Sequence, residues 1–147
     1  MEIAILALGC FWGPEMKFGK LDGVIQTEVG YCGGNLNSTN YEEVCTGKTN
    51  HAEVVKLKFD NSKISYEKIL DYFFEIHNPT TLIKQGPDIG TQYRSEIFYC
   101  NNSQKEIAEK ILNKINQKLN GKVVTKISKE KNYCKAEEYH QKYFQKK

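Results

Sequence analysis

The six residues Ile3-Ala4-Ile5-Leu6-Ala7-Leu8 run without a polar break and end at Gly9-Cys10. This is the pattern of a strand buried on both faces, although so short an apolar run is not told from a buried helical piece by periodicity alone. Any fold for the chain has to cover both sides of this segment. Gly9 allows a sharp turn, and Pro14 fits best in the first turn of a helix, where its missing N–H costs nothing. A helix is therefore expected to begin between Phe11 and Gly13, with Cys10 at or just before its N-terminus. Unpaired amides and the positive end of the helix dipole lower a thiol's pKa there, and the thiolate is the nucleophilic form. Phe11 and Trp12 can wall an apolar pocket beside the sulfur. The plainer alternative is a cysteine serving as a small buried hydrophobe.

The 147 residues match the common size of a single domain, expected over 1–147, and 39% hydrophobic content places the chain in the folded class. A net charge of +3 is mild. The Lys-rich helix ends and the tail Gln145-Lys146-Lys147 read as solvated faces, so neither nucleic acid nor an anionic membrane is an expected partner. The opening apolar run follows Glu2 and lacks a basic flank, which excludes a signal peptide, and no stretch is long enough to span a membrane. The five cysteines, at 10, 32, 45, 100 and 134, are odd in number and form no CxxC pair. That argues against zinc and against a secreted disulfide framework, and it fits a reducing cytosol. His51, His77 and His140 have no metal-ligand spacing, so no metal is expected.

Along the chain, Leu21-Asp22-Gly23 reads as a turn and Val24 to Tyr31 as a strand with Ile25, Thr27, Val29 and Tyr31 on one pleated face. Residues 33–40 are rich in turn formers, and Tyr41 to Cys45 adds a helical turn stopping at Gly47. From Ala52 to Asp60, Val55, Leu57 and Phe59 share one face while Lys56, Lys58 and Asp60 take the other. Glu53 has the parity of the apolar set. A carboxylate on a core-facing side is expensive to ionise, so its pKa is expected to rise; if the strand starts later, Glu53 lies in solvent instead. Ser65 opens a helix with Tyr66, Ile69, Leu70, Phe73, Ile76 and His77 at helical spacing, ending before Asn78-Pro79. Thr80 to Tyr93 is a long loop, a kind more often functional than idle. Ser95 to Tyr99 is a strand. Ser103-Gln104-Lys105-Glu106 forms a capping-box pattern opening a helix with Gly121 past its end. Val123 to Ile127 reads as a last strand and Ala136 to Phe144 as a final helix. The order points to an α+β fold: a two-layer ferredoxin-like plait of the split βαβ kind, a mixed sheet with helices packed on it, largely on one face.

Six blocks carry a family resemblance: Gly9 to Gly13 (GCFWG), Gly30 to Gly34 (GYCGG), Tyr41 to Gly47 (YEEVCTG), His51 to Val55 (HAEVV), Gln85 to Ser95 (QGPDIGTQYRS) and Ala136 to Gln141 (AEEYHQ). In order and spacing they resemble peptide methionine sulfoxide reductase A over nearly the whole chain. The resemblance implies reduction of methionine-S-sulfoxide, free or within proteins, for repair under oxidative stress. Cys10 matches the nucleophile, Phe11 and Trp12 the aromatics that hold the substrate's methyl group, and Glu53 the carboxyl that activates the sulfoxide. Tyr41 and Tyr93 match the hydroxyls that bind its oxygen, and Asp88 a carboxylate near the same polar site.

The chemistry asks for that combination. Sulfoxide sulfur is a poor electrophile until its oxygen accepts a proton or strong hydrogen bonds, so a thiolate needs a neutral acid opposite it. A Glu kept protonated by an apolar site supplies one. Attack leaves Cys10 as a sulfenic acid, which a thiol then reduces. No metal or bound organic cofactor is implied, only an external thiol reductant, thioredoxin or glutathione with glutaredoxin.

Other readings compete. Taken singly, Tyr41 and Tyr93 read as amphipathic rim residues. His51 as a base for Cys10 would make a cysteine hydrolase or acyltransferase, though nothing marks a third orienting residue. A non-enzymatic ligand-binding plait leaves the Cys-Phe-Trp pocket and the buried acid unexplained.

The chain departs from the family pattern at Asn61, where Pro is usual, at Asn78, where Asp is usual, and in stopping at Lys147 without a glycine-rich tail carrying recycling cysteines. Cys134, in a Lys-rich stretch before the final helix, or Cys32, beside Gly33-Gly34, is left to reach Cys10, while Cys45 and Cys100 read as packing residues. Direct reduction of the sulfenic acid by an external thiol is expected ahead of a Cys134 disulfide. A monomer is expected, since no long apolar stripe remains once the core is assigned.

Overall fold

The opening apolar run is strand β1, Glu2–Leu8, and it lies inside a six-stranded sheet with both faces covered. The computed structural model describes residues 1–36 and 38–145; Asn37 of the expected 33–40 loop and Lys146-Lys147 of the tail lie outside the described residues. After β1 come α1 (Trp12–Gly19), β2 (Val24–Cys32), α2 (Tyr41–Cys45), β3 (Ala52–Phe59), α3 (Tyr66–Glu75), the short pair β4 (Lys84–Gln85) and β5 (Asp88–Ile89), β6 (Ser95–Tyr99), α4 (Asn102–Lys118), β7 (Lys126–Lys129) and β8 (Cys134–Lys135). The main sheet runs β7-β6-β1-β3-β2-β8, with β4 and β5 in a separate hairpin. Only β6 and β7 pair in parallel, so the sheet is mixed and the fold is α+β.

Even-numbered residues of β1, Ala4, Leu6 and Leu8, enter the main core with Val29, Tyr31, Val55, Leu57, Phe59 and Ile97, and every helix contributes to that same cluster: Phe18, Val44, Ile69, Leu70, Phe73, Ala108 and Ile111. Odd-numbered Ile5 and Ala7 enter a smaller cluster on the opposite face with Cys32, Ala52, Val54 and Phe98. A sheet with a helical layer on one side and a thin apolar cover on the other accounts for a central strand with no polar break.

Several local expectations are corrected. Ile25 is exposed, because the β2–β3 register shifts between Val24 and Gln26 and turns it out of the pleat. Asn101, not Ser103, caps α4: its side chain accepts from the Gln104 N–H at 2.9 Å, and Gln104 is buried. The last long-strand candidate shifts from 123–127 to β7, since Val124 N–H is drawn to the Pro79 carbonyl at 2.8 Å. Cys134 lies on the two-residue edge strand β8 rather than in an irregular stretch. Residues 136–144 are not an α-helix but two 3-10 turns, Glu138–His140 and Tyr143–Gln145, separated by Lys142 at φ +52°. The side chain of Gln141 accepts from Val29 N–H and donates to Val29 C=O, both at 2.9 Å. Lys142 N–H donates to Glu15 at 2.7 Å. These partners hold the segment flat against β2 and α1 and outcompete the helical i to i−4 pattern.

Of the two departures noted from the family pattern, Asn61 donates to Glu2 at the surface, and Asn78 accepts from the Thr80 N–H at 3.0 Å in a side-chain-closed turn. The long 80–93 loop is organised by the β4–β5 hairpin and a 3-10 turn over Thr91–Tyr93. Among the described residues no helix is long and apolar enough to cross a membrane.

Candidate active site

The chain leaves β1, turns at Gly9 (φ +102°) and enters α1, so the first amides of the helix face back over the end of the sheet. Two consecutive amides there face two reactive groups. The Trp12 amide acts on the Cys10 sulfur in the direction that favours the thiolate, and the Phe11 N–H donates to Glu53 Oε1 at 3.2 Å. Cys10 is partly buried and free. Its thiol pKa is nonetheless not lowered as expected from the helix end: burial pushes it up to about 11, and the charges of Glu53 and Asp88 add to the rise. The Trp12 amide works in the expected direction, and desolvation outweighs it.

Glu53 lies opposite Tyr31 in the β2–β3 register, on the core-facing parity, and is 1% exposed. Burial pushes its carboxyl up to about 8, the Phe11 amide opposes the rise, and Asp88 adds to it. Its Oε2 has no hydrogen-bond partner among the described residues. Glu53 is therefore a neutral acid at physiological pH with one oxygen uncommitted.

Tyr41 opens α2 and Tyr93 closes the 3-10 turn after the β4–β5 hairpin. Burial raises both: Tyr93 reaches about 12 with Glu53 adding to the rise, and Tyr41 is pushed higher, with neighbouring Cys45 and Tyr93 adding to it. Both are neutral donors. The charge of Asp88, on β5, is felt at Cys10, Glu53 and Tyr93. Cys10, Trp12, Pro14, His77, Gln85, Asp88 and Phe144 line one cleft of about 420 Å³. The structure thus brings Cys10, Glu53, Tyr41, Tyr93, Trp12 and Asp88 to one end of the sheet. The Phe11 ring is 1% exposed and packs inward on Tyr31 and His140, so its amide, more than its ring, meets the site.

Residues without an assigned role in the sequence hold this arrangement. His140 accepts from the Trp12 indole N–H at 3.0 Å, with its own pKa lowered by burial, and Tyr143 stacks on the indole at 3.8 Å. Glu137 accepts from the Tyr31 hydroxyl at 2.8 Å and from the Tyr41 N–H at 2.9 Å, tying α2 to the sheet. The AEEYHQ block was the available signal for both. His51 is not placed as a base for Cys10: its ring bonds to the Asn132 carbonyl and lies against Gly34, where a Cβ would come within 2.0 Å of Nδ1. Cys32 is fully buried in the opposite-face cluster, which removes it as a thiol able to reach Cys10. Cys45 and Cys100 are exposed rather than packing residues. Among the described residues no group of three or more His, Cys, Asp or Glu is arranged to hold a metal ion.

A thiol, a neutral carboxylic acid and two phenols gathered at one end of the sheet define a site for thiol chemistry on a small polar acceptor. A family model described as peptide methionine sulfoxide reductase matches residues 2–147. Peptide methionine sulfoxide reductase MsrA of Pelagibacter ubique is 69% identical over 147 residues, covering 100% of both chains. The crystal structure of Mxr1 from Saccharomyces cerevisiae in reduced form is similar with a TM-score of 0.93 at 38% identity, over 99% of this chain and 84% of that one. Mxr1 in complex with Trx2 is similar with a TM-score of 0.69 at 27% identity, over 97% and 84% of the two chains. The chain belongs to the peptide methionine sulfoxide reductase family. It is an oxidoreductase that reduces methionine sulfoxide to methionine at the expense of thiols.

Proposed function

We propose that Cys10 attacks the sulfur of methionine-S-sulfoxide, free or in oxidised proteins, while Glu53, Tyr41 and Tyr93 hold its oxygen. Trp12 receives the methyl group, with the buried Phe11 ring packed behind the site on Tyr31 and His140, and Asp88 orders the polar side of the cleft. The observation that carries this reading is Glu53, fully buried, raised to about 8 and with one oxygen unpartnered. An acid so placed can donate to a sulfoxide oxygen.

Protonation states also balance. Cys10 and Glu53 are both neutral in the resting site, so the thiol proton has only to pass to the sulfoxide oxygen while Glu53 gives and regains one. Burial that penalises a free thiolate does not penalise this neutral exchange. The Cys10 sulfur bonds to the sulfoxide sulfur; as the oxygen passes to Cys10, the methionine S–O bond and the new S–S bond break. Methionine leaves reduced by two electrons, and Cys10, oxidised by two, remains as the sulfenic acid.

The regenerating thiol is thioredoxin, the class of partner in the Mxr1–Trx2 complex, or glutathione with glutaredoxin. The order β6-β1-β3-β2, with α1 and α3 as crossovers, supports a ferredoxin-like plait over a single domain 1–147; the reading takes it as a cytoplasmic monomer that needs no bound cofactor. Incubation with each epimer of methionine sulfoxide and dithiothreitol tests the reading. Methionine is expected from the S epimer alone; no methionine, or equal use of both epimers, would sink it.

A further inference from the structure

We propose that a second cleft, beside the one at Cys10, receives a bulky apolar side chain of the substrate polypeptide two positions from its methionine sulfoxide. The inference rests on the placement of the sulfoxide at Cys10 above. The second cleft holds about 340 Å³, with Leu82, Ile83, Ser95, Glu96 and Val124 among its walls. Leu82 is 66% and Ile83 44% exposed, although both are large apolar side chains.

Two observations set the clefts side by side. Ile83 and Gln85 are two residues apart on one arm of the β4–β5 hairpin, whose ladder the Gly90 N–H extends by donating to the Ile83 carbonyl at 2.7 Å. Gln85 lines the Cys10 cleft and Ile83 the second. Residues so spaced share one face of an extended chain and lie about 7 Å apart. On the other wall, His77 lines the Cys10 cleft and Ser95 the second, and one hydrogen bond of 2.7 Å joins them. The partition between the clefts is therefore about one side chain thick. It is also fixed in place. The Gln85 side chain accepts from the Asn78 N–H at 3.1 Å and donates to the Asn78 carbonyl, and a Cβ on Gly9 would come within 2.9 Å of Gln85 Cβ. An extended substrate has the same period of two, so with its sulfoxide at Cys10 the side chain two positions away faces the second cleft.

The lining selects the kind of side chain. Arg94 donates to Glu96 at 2.7 Å and to the carbonyls of Thr91 and Asn50, and the second oxygen of Glu96 accepts from Ser128 at 2.6 Å. Ser95 donates to His77 Nε2, because Nδ1 of that ring donates to the Phe73 carbonyl, and it is also bonded to Thr125. These polar groups are engaged within the protein. A charged or amide side chain entering there would give up water without gaining their bonds. An aliphatic one covers Leu82, Ile83 and Val124 and gains the apolar area it removes from water.

The test uses short peptides with one methionine-S-sulfoxide, Leu or Gln two positions before or after it, and glycine elsewhere, with N-acetylmethionine-S-sulfoxide as a substrate too short to reach the second cleft. Dithiothreitol is the reductant. At one of the two positions kcat/KM is expected to be about tenfold higher with Leu than with Gln. The double variant Leu82→Ser, Ile83→Ser is expected to abolish that advantage and to leave N-acetylmethionine-S-sulfoxide unchanged. Equal rates for Leu and Gln at both positions, or an advantage that survives the double variant, would overturn the proposal while leaving Cys10 as nucleophile. A parallel loss on N-acetylmethionine-S-sulfoxide would also overturn it, by showing that the two residues support the Cys10 cleft itself. No methionine from any substrate would overturn both readings.

Discussion

Phe11 and Glu53, 42 residues apart, are joined by one hydrogen bond of 3.2 Å from a backbone amide to a buried carboxyl. Cys10 is the residue immediately before Phe11 in the chain. The acid is therefore fixed to the backbone that carries the nucleophile rather than to another flexible side chain. Pre-organisation of this kind lets a modest donor act strongly, because nothing has to reorient when charge develops on the sulfoxide oxygen.

Glu53→Gln keeps the size of the side chain and an oxygen for the Phe11 N–H, but it removes the transferable proton. kcat/KM for methionine-S-sulfoxide is expected to fall about 10²- to 10³-fold, with methionine release in a single turnover as the readout. A variant retaining half of the wild-type rate would show that the carboxyl is structural.

The same group sets a pH limit. With a carboxyl raised to about 8, the acid is protonated below that pH and lost above it, while the Cys10 thiol, at about 11, stays protonated throughout. The wild-type rate is expected to decline as pH rises through about 8, and in Glu53→Gln this limb disappears from the profile. A wild-type rate still climbing at pH 9 would mean that thiolate formation, not the acid, governs the step.

Stability falls in the same direction. The Glu53 carboxyl rises from an ordinary 4.5 to about 8 on folding. Below 4.5 it is neutral in both states, and between the two values only the unfolded chain gives up the proton. Its contribution to stability is thus fully present at low pH and is lost as pH rises toward 8, a change on the order of 5 kcal/mol. In thermal melts from pH 5 to pH 9 the Tm of Glu53→Gln is expected to gain steadily on the wild type. A gap that does not widen would place the carboxyl's pKa near its ordinary value.

Glu53 was legible because strand periodicity is two: Val55, Leu57 and Phe59 announce the buried face, and parity carries the acid along. The Cys10 turn was legible from Gly9 and Pro14, and Ser65 announced α3. The Cys10 pKa was not, since a helix end is local while desolvation depends on what the whole fold stacks over the sulfur. Asn101 lay two residues ahead of a capping pattern that looked complete, and β8 is too short to show a period. The His140 and Glu137 contacts join residues about a hundred positions apart, and no window of sequence contains both partners.

The 136–145 segment is where that long-range order is most open to test. The Gln141 side chain is 5% exposed and stands in for a missing strand neighbour: it accepts from Val29 N–H, donates to Val29 C=O and also donates to the Ala136 carbonyl at 3.0 Å. Gln141→Ala leaves the buried Val29 N–H unpaired, while the Val29 C=O keeps its bond from the Ala136 N–H at 3.0 Å; the loss costs about 2 kcal/mol and lowers Tm by roughly 6 °C. The damage should reach the cleft, because the next residue back, His140, holds the Trp12 indole. KM for the sulfoxide is expected to rise several-fold with kcat changed less, since Trp12 shapes the binding wall and takes no part in proton transfer. Equal losses in kcat and KM would instead show that the segment supports Glu53 and Cys10 directly, and an unchanged Tm would show that Val29 finds another partner.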